Sequence, residues 1–176
     1  SPHAKSFQIY VRGDDDWIRD LVRRVVKAKY ASVTLTVDSA FYGNRERLNP
    51  AQLALRRVAA REWQKKITWE TVKLIQDEIG DIPLILKGIM TAEDAALAVE
   101  HGVQGIYISN HGGRQLDHVL GNIQMLPEVV EAVDGKAEVF IDGGFTRGTD
   151  IVKALILGAK AVGIGRLQAY ALGAGG

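Results

Sequence analysis

The feature that most constrains this chain is a repeated alternation of amphipathic and purely apolar segments. Ala98 through Ser109 and Ala154 through Gly165 align at a fixed offset, each running from a helix end through a glycine and a short link into an apolar strand. Strands are read at residues 6–12, 32–37, 83–87, 105–109, 139–142 and 161–165. Between the first two, Trp17, Ile18, Leu21, Val22, Val25 and Val26 recur at helical spacing behind Asp14 to Asp16, which can cap that helix. Phe41 to Pro50 reads as a long polar loop, residues 51–66 as helix-compatible, and Trp69 to Ile79 as an amphipathic helix. Thr91-Ala92-Glu93-Asp94 has capping-box form with Asp in place of Glu, opening a helix that Gly102 stops. Pro127 suits the first turn of a helix ending near Gly135, and residues 149–157 read as a helix stopped at Gly158.

Strands alternating with helices imply a parallel sheet buried on both faces, either a barrel or a doubly wound sheet. Chemistry-bearing residues gather just after the strands, at the end where parallel barrels carry their active sites, which favours an α/β barrel of the TIM (β/α)8 type. Six strands are read here, whereas a closed barrel has eight in roughly 250 residues. An open six-strand sheet exposes two unpaired edges, so these residues alone are not expected to make a stable monomer.

A length of 176 residues suits one domain, and 47% hydrophobic with 24% charged residues describes a folded globular chain. A net charge of +1 gives no global pull toward nucleic acid or membrane. The absence of cysteine excludes disulfides, thiolate metal sites and a cysteine nucleophile. No apolar run approaches the roughly 18 residues of a membrane span, and Ser1-Pro2-His3-Ala4-Lys5 lacks signal-peptide character, so a soluble intracellular protein is expected. The missing initiator Met hints at a trimmed, processed or partly observed chain. Arg56, Arg57, Arg61, Lys65 and Lys66 form a basic cluster that could meet phosphate but reads better as a solvated helix face.

The densest cluster of reactive types is Ser109-Asn110-His111-Gly112-Gly113-Arg114-Gln115-Leu116-Asp117, directly after the apolar run Gly105-Ile106-Tyr107-Ile108. It offers a proton acceptor, close backbone approach and a fixed cation, although a glycine-rich structural turn would read the same way. Asp38 closes its strand in Thr36-Val37-Asp38-Ser39 and fits a turn or cap as well as a partner for His111. Lys87 ends Leu84-Ile85-Leu86-Lys87-Gly88, where burial would be costly without an anionic partner. Asp142-Gly143-Gly144 and Gly165-Arg166 follow the last two strands, where barrels often bind phosphate on glycine amides.

Together these motifs resemble the FMN-dependent 2-hydroxy acid oxidases and dehydrogenases, the group of glycolate oxidase, lactate dehydrogenase (FMN) and mandelate dehydrogenase. The resemblance covers nearly the whole chain through six separated motifs in order. It implies that the six strands are the third to eighth of the barrel, with two strands, the preceding helices and a last helix after Gly176 lying outside. Residues 1–176 would then be a single, partial FMN-binding domain, with a shortened loop between Asn49 and Pro50. Such an enzyme needs a base, a cationic clamp for a carboxylate and an electron-accepting flavin. By resemblance His111 is the base and Asp38 its support, while Arg114 and Arg45, the latter in Gly43-Asn44-Arg45-Glu46, hold the substrate carboxylate. Tyr10, in Gln8-Ile9-Tyr10, would reach the reacting centre. Lys87 would stabilise reduced FMN at its N1–O2 edge, Gln8, Thr36 and Ser109 would bond the isoalloxazine, and Asp142, Gly143, Gly144, Gly165 and Arg166 would serve the phosphate end.

Two positions depart from the family pattern. Thr146 stands where arginine is usual, with Arg147 beside it, and Leu167 replaces a proline. The implied product is a 2-oxo acid, the implied assembly a homo-oligomer, often a tetramer. Oxygen, quinone and cytochrome all remain open as electron acceptor. Two other readings stand beside this one: a different FMN- or phosphate-binding barrel enzyme, and a truncated barrel that acts as a non-catalytic fragment or interaction module.

Overall fold

The structure is a computed structural model that describes residues 4–41 and 61–176. Six parallel strands, β1 (Ser6–Ile9), β2 (Ser32–Thr36), β3 (Leu84–Ile89), β4 (Gly105–Ile108), β5 (Glu138–Asp142) and β6 (Ala161–Gly163), lie side by side in chain order. The helices are α1 (Asp15–Lys27), α2 (Arg61–Gln64), α3 (Trp69–Ile79), α4 (Ala92–Glu100), α5 (Asn122–Val133), α6 (Gly148–Ile156) and α7 (Arg166–Gly175). Right-handed crossovers between strands that always step in one direction drop every connecting helix on the same face. A doubly wound sheet would require the order to reverse. The sheet therefore curls as part of a barrel, with six of the eight βα units of the (β/α)8 fold.

Strand alternation sorts the side chains between the two faces. Val33, Leu35, Leu84, Leu86, Ile106, Ile108 and Ile141 are buried in one hydrophobic cluster with Val22, Ile75, Leu126 and Val129 of the helices. The opposite face carries Gln8, Thr34, Thr36, Ile85, Lys87, Gly105, Tyr107, Phe140, Asp142 and Gly163. Burial on both faces, expected from the alternation, thus holds fully only under the helices. The other face is the inside of the curl and carries the polar residues. Outside, α1 is tied to α3 by Arg19 and Arg23, which donate to Glu78 at 2.7 and 2.9 Å.

Three expectations need correction. The first strand ends at Ile9 rather than residue 12, because the Val11 carbonyl accepts from the Gln64 side chain at 3.0 Å instead of continuing the ladder. The helix expected to hold Pro127 in its first turn starts at Asn122 and holds Pro127 in its second. Its start is set by Gly121 and Gln124, whose side-chain oxygen accepts from the Gly121 amide at 2.9 Å. Finally, α7 follows β6 at once, where no helix was read. The loop at Phe41 to Pro50 and most of the 51–66 segment lie outside the described residues.

Candidate active site

The C-terminal ends of the strands converge on a cavity of about 620 Å³ lined by Gln8, Tyr10, Lys87, His111, Arg114, Asp142, Gly144, Gly165 and Arg166 among others. Nearly every motif singled out in the sequence reaches this one space or the side chains that brace it.

His111 projects from the loop after β4 in a left-handed conformation, φ 54°, followed by Gly112 and Gly113 at 65° and 72°. Such a backbone is uncommon for a residue with a side chain, and three in succession turn the loop sharply enough to aim the imidazole across the strand ends. There Nδ1 lies 2.6 Å from Asp38 Oδ2, and Nε2 lies 3.0 Å from the Tyr10 hydroxyl. With Nδ1–H donating to the carboxylate, Nε2 is the free basic nitrogen and the tyrosine donates to it. Asp38 Oδ1 is buried without a hydrogen bond among the described residues. The Asp38 carboxylate therefore fixes the orientation of the ring through Nδ1 and leaves Nε2 facing Tyr10.

Asp38 is itself held in a narrow seat. Gly88 adopts φ 110°, and a Cβ there would fall 2.6 Å from Asp38 Cβ and 2.9 Å from its amide nitrogen. Only glycine lets β3 pass this close.

Lys87 is nearly buried at 7% exposure. Its ammonium donates to Ser109 Oγ and pairs with Asp142 Oδ2 at 3.0 Å. Ser109 Oγ also accepts from the His111 amide at 3.2 Å, so one hydroxyl ties the cation to the base loop. Ser109 and Thr36 are completely buried and do not line the cavity. Thr36 instead accepts from Gln8 Nε2 at 2.8 Å, and the same amide donates to Tyr10 at 3.2 Å.

At the far end, Gly144 and Gly165 have nothing within 4 Å of where a Cβ would stand, so their backbones open onto free space. Arg166 donates to the Gly112 carbonyl at 2.9 Å and joins the end of β6 to the base loop. Thr146 lines the cavity and Arg147 does not. The Arg147 amide, with both the amide and hydroxyl of Thr146, donates to Asp150 at the start of α6. Arg114 lines the same cavity. Arg45 lies outside the described residues.

Two contributors escaped the sequence reading. Asn122, buried at the start of α5, donates to the Asp142 carbonyl at 2.6 Å and fixes the Asp142-Gly143 turn. A polar residue at a helix start looks like a cap, so nothing in the sequence marked it. Tyr107 lies beside Lys87 in the sheet. Its one signal was an aromatic residue of the same strand parity as Ser109.

A parallel barrel sheet with a buried lysine, a carboxylate-backed histidine and glycine turns at its last two strands defines a phosphate-cofactor barrel. The chain belongs to the FMN-dependent dehydrogenase family, whose sequence profile matches residues 1–61 and 48–176. It is 41% identical to L-lactate oxidase of a Nostoc strain over all of this chain and 55% of that protein. Against human 2-hydroxyacid oxidase 1 it is 40% identical, covering 90% of this chain and 50% of that one. Among solved structures, mandelate oxidase with (S)-2-phenylpropionate superposes with a TM-score of 0.88 at 42% identity, over 99% of this chain and 53% of the other. The chain thus spans about half the length of the relatives it matches.

FMN is the family's cofactor. The residues present fit it: bare glycine backbones at one end for a phosphate, and at the other a near-buried cation with amide and hydroxyl groups for a polar ring. Among the described residues no group of carboxylates and histidines could hold a metal ion. No helix among them is long and apolar enough to cross a membrane.

Proposed function

We propose that residues 1–176 form one partial FMN-binding domain of an enzyme that oxidises a 2-hydroxy acid to a 2-oxo acid. The observation that carries this reading is the Asp38–His111–Tyr10 chain of contacts, which opens into the same cavity as Lys87 and Arg114. FMN, when bound, accepts the two electrons that leave the substrate carbon.

His111 Nε2 takes the proton, whether it departs from the hydroxyl or from the α-carbon, since one site beside the substrate serves either route. Asp38 holds the ring tautomer through Nδ1 and offsets the charge gained. Tyr10 bonds Nε2 at rest, and its hydroxyl steers the substrate oxygen toward the base. Arg114, joined by Arg45, binds the carboxylate as a planar fork and fixes which face of the α-carbon meets the flavin. Lys87 would hold positive charge against the FMN ring and favour its reduced form. Gln8 would bond the ring, while Thr36 and Ser109 brace Gln8 and Lys87. Asp142, Gly143, Gly144, Gly165 and Arg166 would hold the ribityl and phosphate portion. Thr146 stands at that end as a neutral hydroxyl, so this site relies on amides and Arg166 for charge.

The test is the visible spectrum of the purified intact protein, with its mass taken from the same sample. Flavin bands that bleach anaerobically with lactate, glycolate or mandelate are expected, together with turnover against a dye acceptor. Flavin without bleaching by any 2-hydroxy acid would point to a different flavin barrel enzyme. No flavin uptake from added FMN would point to a non-catalytic barrel fragment.

A further inference from the structure

Beneath Lys87 lies a side chain that none of the site motifs contains. Tyr107 is the register neighbour of Lys87, and the centre of its ring is 4.9 Å from Lys87 Nζ. Its phenol end crosses the inner face of the sheet as far as β6. A Cβ on Gly163 would fall 1.9 Å from Tyr107 Oη and 3.2 Å from the ring carbon that bears it. Glycine at 163 is therefore what leaves room for the phenol end of Tyr107. The φ of Gly163 is ordinary, so its reason to be glycine is space and not backbone conformation. The ring is packed in turn against Phe140, with centroids 6.0 Å apart. Lys87 and Gly163 line the cavity, and Tyr107 is the layer below them.

A lysine ammonium has three donors and no acceptor. Two directions are taken by Ser109 and Asp142. The electron-rich ring face meets the cation from a third side and occupies the volume into which a flexible lysine stem would otherwise settle. Burial, and then the charge of Asp142, push the Tyr107 phenol up to about 12, so it stays neutral and adds no second anion beside Lys87.

We propose that Tyr107 is a positioning residue for Lys87: its ring holds the ammonium at the cavity surface, where the charge favours the reduced, anionic state of the group bound there. This rests on the reading of the cavity as an FMN site. The consequence is selective, because the oxidised ring carries no negative charge for the ammonium to attract. Losing the aromatic face should therefore weaken the reduced state and spare the oxidised one.

The experiment compares wild type, Tyr107→Leu and Tyr107→Phe in the intact, FMN-loaded protein. It measures the dissociation constant of oxidised FMN and the midpoint potential of the bound flavin. Tyr107→Leu is expected to weaken reduced FMN about ten-fold relative to oxidised, a potential about 30 mV more negative for a two-electron couple. Tyr107→Phe keeps the ring and is expected to keep the wild-type potential. A leucine variant that loosens both redox states equally, leaving the potential in place, would reduce Tyr107 to a space-filling role and overturn the proposal. So would a phenylalanine variant that shifts as far as leucine. Tyr107→Met supplies a second non-aromatic side chain if leucine does not fold. Wild-type protein that takes up no FMN would instead remove the underlying reading and the proposal with it, and is distinguished by the absence of flavin absorption in every variant.

Discussion

Replacing the side chain at the proposed base separates proton transfer from binding. His111→Gln keeps a polar side chain but no basic ring nitrogen, and turnover is expected to fall by about 10²–10⁴-fold with FMN still bound. Asp38→Asn should cause a loss of similar order, because an amide lets the ring adopt the tautomer with its proton on Nε2. Steady-state rates with flavin content measured on the same samples check both; full activity in either variant would remove His111 from the chemistry. Tyr107 makes a prediction that requires no cofactor. Its folded-state value lies above the ordinary phenol value of 10.0, so the neutral form is favoured by folding. The stability this represents is complete below about pH 10 and is lost as pH rises toward about 12. Melting temperatures across that interval should decline more steeply in wild type than in Tyr107→Phe, and parallel curves would contradict it. Gly88→Ala tests the narrow seat of Asp38. A Cβ at φ 110° and 2.6 Å from Asp38 Cβ should cost roughly 1–3 kcal/mol of stability and displace the carboxylate, read by thermal melting and by rate.

Elements were legible where an apolar face drives them, and less so elsewhere. Strands β3 to β6 follow from short apolar runs behind helix-stopping glycines, β1 and β2 from their apolar runs alone, and α1, α3 and α4 from apolar spacing, with a cap read in front of α1 and α4. Boundaries failed where a side chain decided them, as Gln64 does for the end of β1 and Gln124 for the start of α5. The helix α7 gave no signal because none of its residues is buried, and Gly173 and Gly175 weaken its propensity. In the site, His111, Arg114, Asp142 and Gly165 stood out because they sit inside contiguous motifs. Asn122 and Tyr107 act through contacts made only when separate units come together, which no local window contains. Between elements, the α1–α3 joint has a defined pH response. Hydrogen bonds from Arg23 and then Arg19 hold the Glu78 carboxyl below its ordinary range. Its contribution is present above that range and is lost as pH falls through the lowered value. Acid melting curves of Glu78→Gln should therefore be flatter than those of wild type. Identical slopes would mean that the joint carries no linkage.

For the 176-residue chain, the decisive fact is that the sheet runs in one direction without closing among the described residues. There β1 pairs with β2 alone and β6 with β5 alone, so one side of each outer strand is unpaired in the sheet. The 176-residue chain by itself should therefore associate as concentration rises, seen by sedimentation as species heavier than 19.2 kDa. A single species of that mass at every concentration would show that the edges are protected in some other way. Exposed Val152, Ile156, Tyr170 and Leu172 on α6 and α7 add apolar surface near the β6 side.

The unpaired edges also bear on how such an enzyme can be dissected. Tyr10, Asp38 and His111 follow β1, β2 and β4, which with the intervening β3 form one continuous piece of sheet, and none of their mutual contacts crosses the gap between β6 and β1. A division at that gap leaves all three side chains on one fragment. Two polypeptides supplied separately could then be assayed for reassembly, with the histidine's contacts to Asp38 and Tyr10 already formed on one of them.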